Sequence, residues 1–270
     1  MQNSELSLLA PEVCQVVEFA GDAVMDIYGA GGSGAGLLSL KADDSPLTLA
    51  DLAAHNAIVA GLKRLTPTIP VVSEEDPGSF AHRIASGSFW LIDPLDGTKE
   101  FLARTGDFTV NVALIEDAEP VWGVVYAPAL EQMFWGGRTF GATRRTPEGE
   151  VSLRGLMSTT WESPCRVVAS KSHLNERTEA FIQKLRQVDL VKAGSSLKFC
   201  RIAEGLADVY PRLAPTCEWD TAAAQAVLEG AGGHVYDTQG HRLCYGKADV
   251  LNPDFIAASM PFLELERLVC

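Results

Sequence analysis

The sequence predicts an α/β protein in two parts, an α+β subdomain over residues 1–162 and an α/β subdomain over residues 163–270. Three observations carry this. Apolar residues recur at helical spacing in two long segments before residue 66. Three β-rich segments joined by short turns follow between residues 108 and 137. Beyond a seam at residues 161–164, short apolar runs alternate with helical patterns.

Taken in order, the first helix rests on Leu6, Leu9, Val13, Val16, Ala20, Val24 and Ile27, spaced by threes and fours along one face. Pro11 is acceptable near its start. The helix must end by Gly29, where the run GAGGSGAG begins. That run contains Gly29-x-Gly31-x-x-Gly34, the spacing of a dinucleotide fingerprint. A helix precedes it and no helix start follows it, so it reads as a loop. A second helix spans about residues 49–65, opened by Thr48 with Asp51 three residues on. This is a capping-box arrangement with Asp in place of Glu. Apolar runs at 69–72 and 89–92 are short strands. Segments 108–116, 121–128 and 131–137 form an antiparallel meander, and the polar stretch 144–150 reads as a surface turn. In the second half, strands at 166–170, 188–193, 208–212, 233–237 and 255–259 interleave with helices at 175–187, 197–204 and 221–229. Gly232-Gly233 closes the last helix. The interleaving implies a mostly parallel or mixed sheet.

Hydrophobic residues make up 47% of the 270 and charged ones 21%, enough apolar surface for a sizeable core. Lys plus Arg is 22 against 35 Asp plus Glu, a net charge of −13. That balance argues against nucleic acid and anionic membrane surfaces as partners, because both need basic patches. The first forty residues contain no Lys or Arg, unlike a signal n-region, and no apolar stretch reaches membrane-span length. The six cysteines (Cys14, Cys165, Cys200, Cys217, Cys244 and Cys270) include no C-x-x-C pair. Reduced thiols in a cytoplasmic protein are the expectation; peripheral attachment to the inner membrane is left open.

Four acidic positions lie at the ends of apolar elements: Glu74-Glu75-Asp76 after a strand, Asp93 and Asp96 in a tight turn after another, Asp220 at the mouth of a helix, and Asp51 in a first helical turn. Two carboxylates about 4 Å apart repel by roughly 4 kcal/mol at an effective dielectric near 20. A fold that gathers four needs cations or protons to offset the repulsion. All-oxygen ligands select Mg²⁺, Mn²⁺ or Ca²⁺ over zinc. Pro94 stiffens the Asp93–Asp96 turn so that the Leu95 carbonyl can share in it, and Gly97 and Thr98 offer free amides for an anion. Each residue also has a plainer reading: Asp51 as half of a capping box, Asp220 as an N-cap, Asp96-Gly97 as an ordinary turn, Glu75 and Asp76 as solvated surface.

Taken together, Glu74-Glu75, Asp93-Pro-Leu-Asp96-Gly-Thr98 and Trp219-Asp220-x-Ala-Ala with Ala231-Gly-Gly resemble the inositol monophosphatase superfamily of Mg²⁺-dependent, lithium-sensitive phosphatases. The resemblance runs from Lys41 to Gly233. Asp96-Gly-Thr-Lys-Glu-Phe101, Gly194-Ser-Ser-Leu-Lys-Phe-Cys200, Ala203-Glu-Gly205 and Tyr210-Pro-Arg212 narrow it to the branch of bacterial 3′(2′),5′-bisphosphate nucleotidases. It implies a layered αβαβα sandwich of the sugar-phosphatase type with the site between two subdomains. It implies two or three Mg²⁺ ions: Glu74, Asp93 and the Leu95 carbonyl hold one, Asp93, Asp96 and Asp220 a second, and Glu74 helps with a third. Asp51 and Thr98 match the pair that orients and deprotonates the attacking water, and Glu74 counts with them as catalytic. The amides of Gly97 and Thr98 match contacts to the scissile phosphate, where Glu74, Leu95, Asp96 and Asp220 also border the substrate. Ser195, Lys198 and Arg212 resemble residues that hold a second, 5′-phosphate, and His173 matches a position that contacts adenine. Without the resemblance, Lys198 and Arg212 read as solvated basic chains and His173 as a loop or capping histidine.

The activity implied is removal of the 3′-phosphate from adenosine 3′,5′-bisphosphate, and from 3′-phosphoadenylyl sulfate, with inhibition by Li⁺. Two alternatives stand beside it: an inositol-1-phosphate phosphatase, and a non-catalytic metal- or nucleotide-binding regulator. The partner is then a small phosphorylated nucleotide, with no nucleic acid and no obligate protein partner; a homodimer is left open.

Overall fold

A computed structural model describes residues 3–30, 37–40, 46–85, 87–154, 164–169, 175–185 and 187–262. Most of the glycine run, the subdomain boundary at 162/163 and His173 lie outside these residues. Helix α1 (Asn3–Ala30) carries Pro11 in its interior. A hairpin of β1 (Leu37–Leu40) and β2 (Pro46–Thr48) leads into α2 (Leu49–Leu65). The capping box is formed as the sequence indicates. Thr48 Oγ1 accepts from the amides of Ala50 (3.1 Å) and Asp51 (3.4 Å), and the Asp51 carboxylate accepts from the Thr48 amide (2.7 Å). Next come β3 (Val71–Ser73), a 3₁₀ turn (Pro77–Ala81), α3 (His82–Ala85), β4 (Ser88–Asp96) and α4 (Thr98–Leu102). Strands β5 (Thr109–Glu116), β6 (Glu119–Ala127), β7 (Gln132–Gly137), β8 (Gly141–Thr146) and β9 (Gly149–Ser152) complete a seven-stranded sheet in sequential order, parallel only between β3 and β4.

The stretch 144–150 is not a simple surface turn. It is the hairpin of β8 and β9, with Arg144 opposite Val151 and Arg145 opposite Glu150. Its side chains lie at a sheet edge, with β9 exposed throughout, so no two-residue apolar period marked it.

The second half comprises β10 (Cys165–Ala169), α5 (Glu176–Lys184), β11 (Val188–Lys192), α6 (Leu197–Ala203), β12 (Val209–Arg212), a 3₁₀ turn (Glu218–Asp220), α7 (Ala222–Ala231), β13 (His234–Asp237) and β14 (Phe255–Ala258). Its sheet is mixed, in the order β11-β10-β12-β14-β13, with β14 antiparallel to both neighbours.

The alternation of side chains along the strands dictates the layering. From β4, Trp90 and Ile92 pack with α1 and α2 residues such as Val13, Val17 and Ile58, while Phe89 and Leu91 turn to the opposite core, shared with α6 and α7. In the second sheet, Val168, Tyr210 and Ala257 join that same central core, and Val167, Val209 and Ile256 pack on Phe181 and Ile182 of α5. The result is helix pair, sheet, helix pair, sheet, helix: the αβαβα sandwich that the resemblance implied.

Every residue of α7 is buried. It lies so close to β6 that a Cβ on Gly123 would sit 2.6 Å from the Ala223 carbonyl oxygen and 2.7 Å from Ala223 Cα. Backbone cannot yield as a side chain can, so Gly123→Ala is expected to lower stability by about 1–3 kcal/mol. Urea unfolding followed by circular dichroism measures this, and an unchanged midpoint would contradict so close an approach.

Candidate active site

The site is built where β4 ends and the first turns of α4, α6 and α7 begin. Asp93 and Asp96 do not occupy a turn after a strand, as the sequence suggested. Both belong to β4, whose register against β5 slips between them. Pro94 explains the slip, because it has no amide to give the ladder. Asp93 is buried, and its Oδ1 accepts from the Leu95 amide (3.0 Å). Gly97 then takes a φ of +89°, which starts α4, and Thr98 Oγ1 donates to the Leu95 carbonyl (3.2 Å).

Asp96 is held from the other half of the chain. Its Oδ2 accepts from the Ser196 amide (2.7 Å) and lies 2.9 Å from Ser196 Oγ, with Thr109 Oγ1 and Asn111 Nδ2 at 3.4 Å. Ser196 Oγ is also 2.9 Å from the Asp220 carbonyl and accepts from Asn111 Nδ2 at 2.9 Å. One serine thus links Asp96 to the segment carrying Asp220. Its neighbour Ser195, at φ +47°, donates to the carbonyls of Asp107 (2.5 Å) and Asp96 (3.0 Å). The joint has no slack: a Cβ on Gly97 would meet Ser195 Oγ at 2.3 Å.

Glu74 extends the β3–β4 pairing, its amide donating to the Ile92 carbonyl (3.2 Å). Asp220 ends its 3₁₀ turn with Oδ2 accepting from the Cys217 amide (2.8 Å). The structure brings Glu74 and Asp96 within electrostatic reach of Asp220. Desolvation, then the charges of Asp96 and Glu74, hold the Asp220 carboxyl well above its ordinary value. Although part of Asp220 faces the cavity, the protein packed around it accounts for the larger effect. Asp51 is buried and held by Thr48 (Oγ1 to Oδ2, 2.6 Å), while β2 packs against α4, the helix Thr98 opens.

Carboxylates of Glu74, Asp93, Asp96 and Asp220 with the Leu95 carbonyl make an all-oxygen donor set, suited to a hard divalent ion such as Mg²⁺. The crowding that raises Asp220 is what a cation would relieve, so the residues fit such an ion in chemistry. They are not closed on one here: among the described residues, no three His, Cys, Asp or Glu side chains converge tightly enough to hold a metal.

Beside them is a cavity of 310 Å³, walled by Asp96, Gly97, Ser195, Lys198, Arg212 and Asp220. Lys198 is 8% exposed, and its Nζ lies 5.5 Å from the centre of the Tyr210 ring. Burial pulls its ammonium below the ordinary value, Asp96 opposes that, and Arg212 adds to it. Arg212 gives Nη2 to the Pro215 carbonyl (3.1 Å) and leaves Nε buried without a hydrogen bond. Sequence reasoning missed Ser196, Asn111 and Thr109, which fix Asp96. A serine just before the Leu197 helix was visible as a capping type, but its partner is 100 residues away.

Fold and cavity together are those of a sugar-phosphatase-type sandwich. Over residues 9–267 the chain matches the inositol monophosphatase family, and it belongs to that family. It is 46% identical over 245 residues to the 3′(2′),5′-bisphosphate nucleotidase CysQ of Salmonella typhimurium, covering 90% of this chain and 97% of that one. A protein of the same name from Buchnera aphidicola is 38% identical over 259 residues, covering 92% and 93%. The crystal structure of CysQ from Bacteroides thetaiotaomicron, a bacterial member of the inositol monophosphatase family, superposes with a TM-score of 0.80 at 39% identity, over 93% of this chain and 97% of that one. The inositol monophosphatase of Anabaena shares the fold, with a TM-score of 0.74 at 22% identity over 98% and 96%. No described helix is long and apolar enough to cross a membrane.

The raised Asp220 carboxyl has a measurable consequence in metal-free protein. A group whose folded pKa exceeds its unfolded value, here 3.8, contributes stability fully below that value and loses it as pH rises through the raised one. Asp220→Asn removes this titration. In a chelator, the melting temperature of Asp220→Asn minus that of the parent is expected to grow as pH rises from 3.8 through the raised value. Thermal melts at several pH values measure it, and a difference that shrinks with pH contradicts the crowding.

Proposed function

We propose that this chain, a phosphatase of the bisphosphate nucleotidase type, removes the 3′-phosphate of adenosine 3′,5′-bisphosphate to give AMP and phosphate, and acts likewise on 3′-phosphoadenylyl sulfate. The observation that carries the reading is a single cavity whose wall holds the carboxylates of Asp96, Glu100 and Asp220 together with the cations Lys99, Lys198 and Arg212, of which Lys198 is the buried one. A monophosphate of a polyol needs one anion site; a nucleoside bisphosphate needs two. The relatives' names point the same way.

Mg²⁺ held by Glu74, Asp93, Asp96, Asp220 and the Leu95 carbonyl would supply the positive charge that the phosphoryl and leaving oxygens demand, and would acidify the attacking water. Asp51 and Thr98 orient that water, and the Asp51 carboxylate takes its proton. The amides of Gly97 and Thr98 donate to the phosphoryl oxygens. Arg212 and Lys198 hold the second phosphate through charge-assisted hydrogen bonds. Ser195 joins them by turning its hydroxyl from the Asp96 carbonyl to the incoming oxygen, and His173 contacts the adenine. Li⁺ inhibits.

Phosphate release from adenosine 3′,5′-bisphosphate and inositol-1-phosphate, with Mg²⁺, Li⁺ or a chelator, tests the reading. The bisphosphate is expected to be the better substrate by kcat/KM, with activity lost in the chelator; preference for inositol-1-phosphate would overturn the assignment. Lys198→Ala is expected to raise KM for the bisphosphate about 10–100-fold, the loss of a charge-assisted hydrogen bond, while barely changing a monophosphate substrate. Equal loss on both substrates contradicts a second anion site. Asp93→Asn is expected to lose turnover while keeping its circular dichroism spectrum.

A further inference from the structure

Glu218 lies two residues before Asp220, and its side chain is fully out of water. Its carboxylate is saturated. Oε2 accepts from Arg83 Nη1 (3.1 Å) and the Gly246 amide (3.1 Å), and Oε1 accepts from Lys247 Nζ (2.6 Å) and the Lys247 amide (3.0 Å). The Arg83 side chain is 4% exposed and also donates to the Lys247 carbonyl (3.0 Å). Arg83 belongs to α3, nine residues after Glu74, so the pair joins the segment leaving Glu74 to the segment entering Asp220 across 135 residues of chain. A second rung lies beside it. The rings of Phe80 and Trp219 are 5.2 Å apart, and the Arg83 guanidinium stands 5.6 Å from the Phe80 ring centre.

We propose that the Arg83–Glu218 pair, with the Phe80–Trp219 contact, sets the distance between Glu74 and Asp220 and thereby the affinity of the site for a divalent cation. Arg83 and Glu218 are positioning residues, not ligands. A buried ion pair is a poor way to gain stability, because an apolar pair of equal volume often serves as well. What the charged pair adds is direction: a carboxylate fixed at four acceptor positions fixes the turn that presents Asp220. Partners that orient metal ligands from behind typically change metal affinity by 10–100-fold when removed. The inference rests on the metal-dependent reading above.

The test uses the full chain and three variants: Arg83→Lys, Glu218→Gln, and the apolar double variant Arg83→Met with Glu218→Leu. Mn²⁺ binding is measured by calorimetry, without substrate. Phosphate release is then titrated with Mg²⁺, and KM for the bisphosphate is taken at saturating Mg²⁺. In the double variant, Mn²⁺ affinity is expected to fall about tenfold or more and the Mg²⁺ midpoint to rise in step, while KM stays within about threefold. Arg83→Lys keeps the charge and is expected to recover part of the loss. A purely structural role would lower the melting temperature and leave the metal midpoint in place. A folded double variant that binds Mn²⁺ within about twofold of the parent overturns the proposal, as does failure of all three variants to fold. If the parent binds Mn²⁺ but releases no phosphate, the functional reading fails while the binding shift still decides the inference. If the parent binds no Mn²⁺, both fall.

Discussion

A desolvated carboxyl with two carboxylates in electrostatic reach resists ionisation unless a countercharge is supplied. Asp220, with Asp96 and Glu74 beside it, is in that position, and the upward push on it from desolvation and from its two neighbours is the result. Like charges gathered in a medium less polar than water repel one another, which disfavours the ionised form. Neutral hydrogen bonds soften this without removing it: Ser196, Thr109 and Asn111 point donors at Asp96, and the Cys217 amide points one at Asp220. Much of the surrounding architecture can be understood as holding these groups where they would not settle by themselves.

The joint between the two halves does most of that holding. Gly97 and Gly194 bring backbone against Ser195 and Asp107 with no room for a side chain, since a Cβ on Gly194 would meet Asp107 Cβ at 2.6 Å. Asp96 therefore moves with the start of α6 and not with β4 alone. Lys198 lies on that same helix, two residues after Ser196. Asp96 and Lys198, both in the cavity wall, are thus tied through a few covalent bonds and one short hydrogen bond. A ligand with two anionic groups at a fixed separation calls for that kind of rigidity.

Much of this was legible before the structure because it is local. Thr48 and Asp51 announce their helix by spacing, the meander strands by short turns, and the second half by alternation. Carboxylates at the ends of apolar elements pointed to a shared site. Other features were hidden for definite reasons. Strand β9 is an exposed edge and β8 beside it is half-buried and carries Arg144 and Arg145, so neither shows an apolar period. The residues Asp93 and Asp96 looked like a turn because proline breaks the pattern, although the strand continues through a slipped register. Ser196, Asn111 and Arg83 act across 85 to 135 residues of chain, and no local pattern encodes such pairings. For Asp51, capping chemistry alone left two readings open, and the cap that the structure shows is compatible with both.

Net charge misleads when it is used alone to judge a ligand. At −13, the chain repels anions at long range, yet that field is screened beyond about 8 Å at physiological ionic strength. Inside the cavity the nearest groups decide. Lys198 is nearly stripped of water and rests against the face of Tyr210, and Arg212 keeps a buried Nε with no acceptor. Burying cations in this state is costly unless an anion completes them. The carboxylates in the same cavity wall favour the charge on Lys198, as the opposing influence of Asp96 indicates. The acidic groups therefore oppose the desolvation that acts on the cationic wall, and an acidic protein is for that reason well suited to hold buried cations.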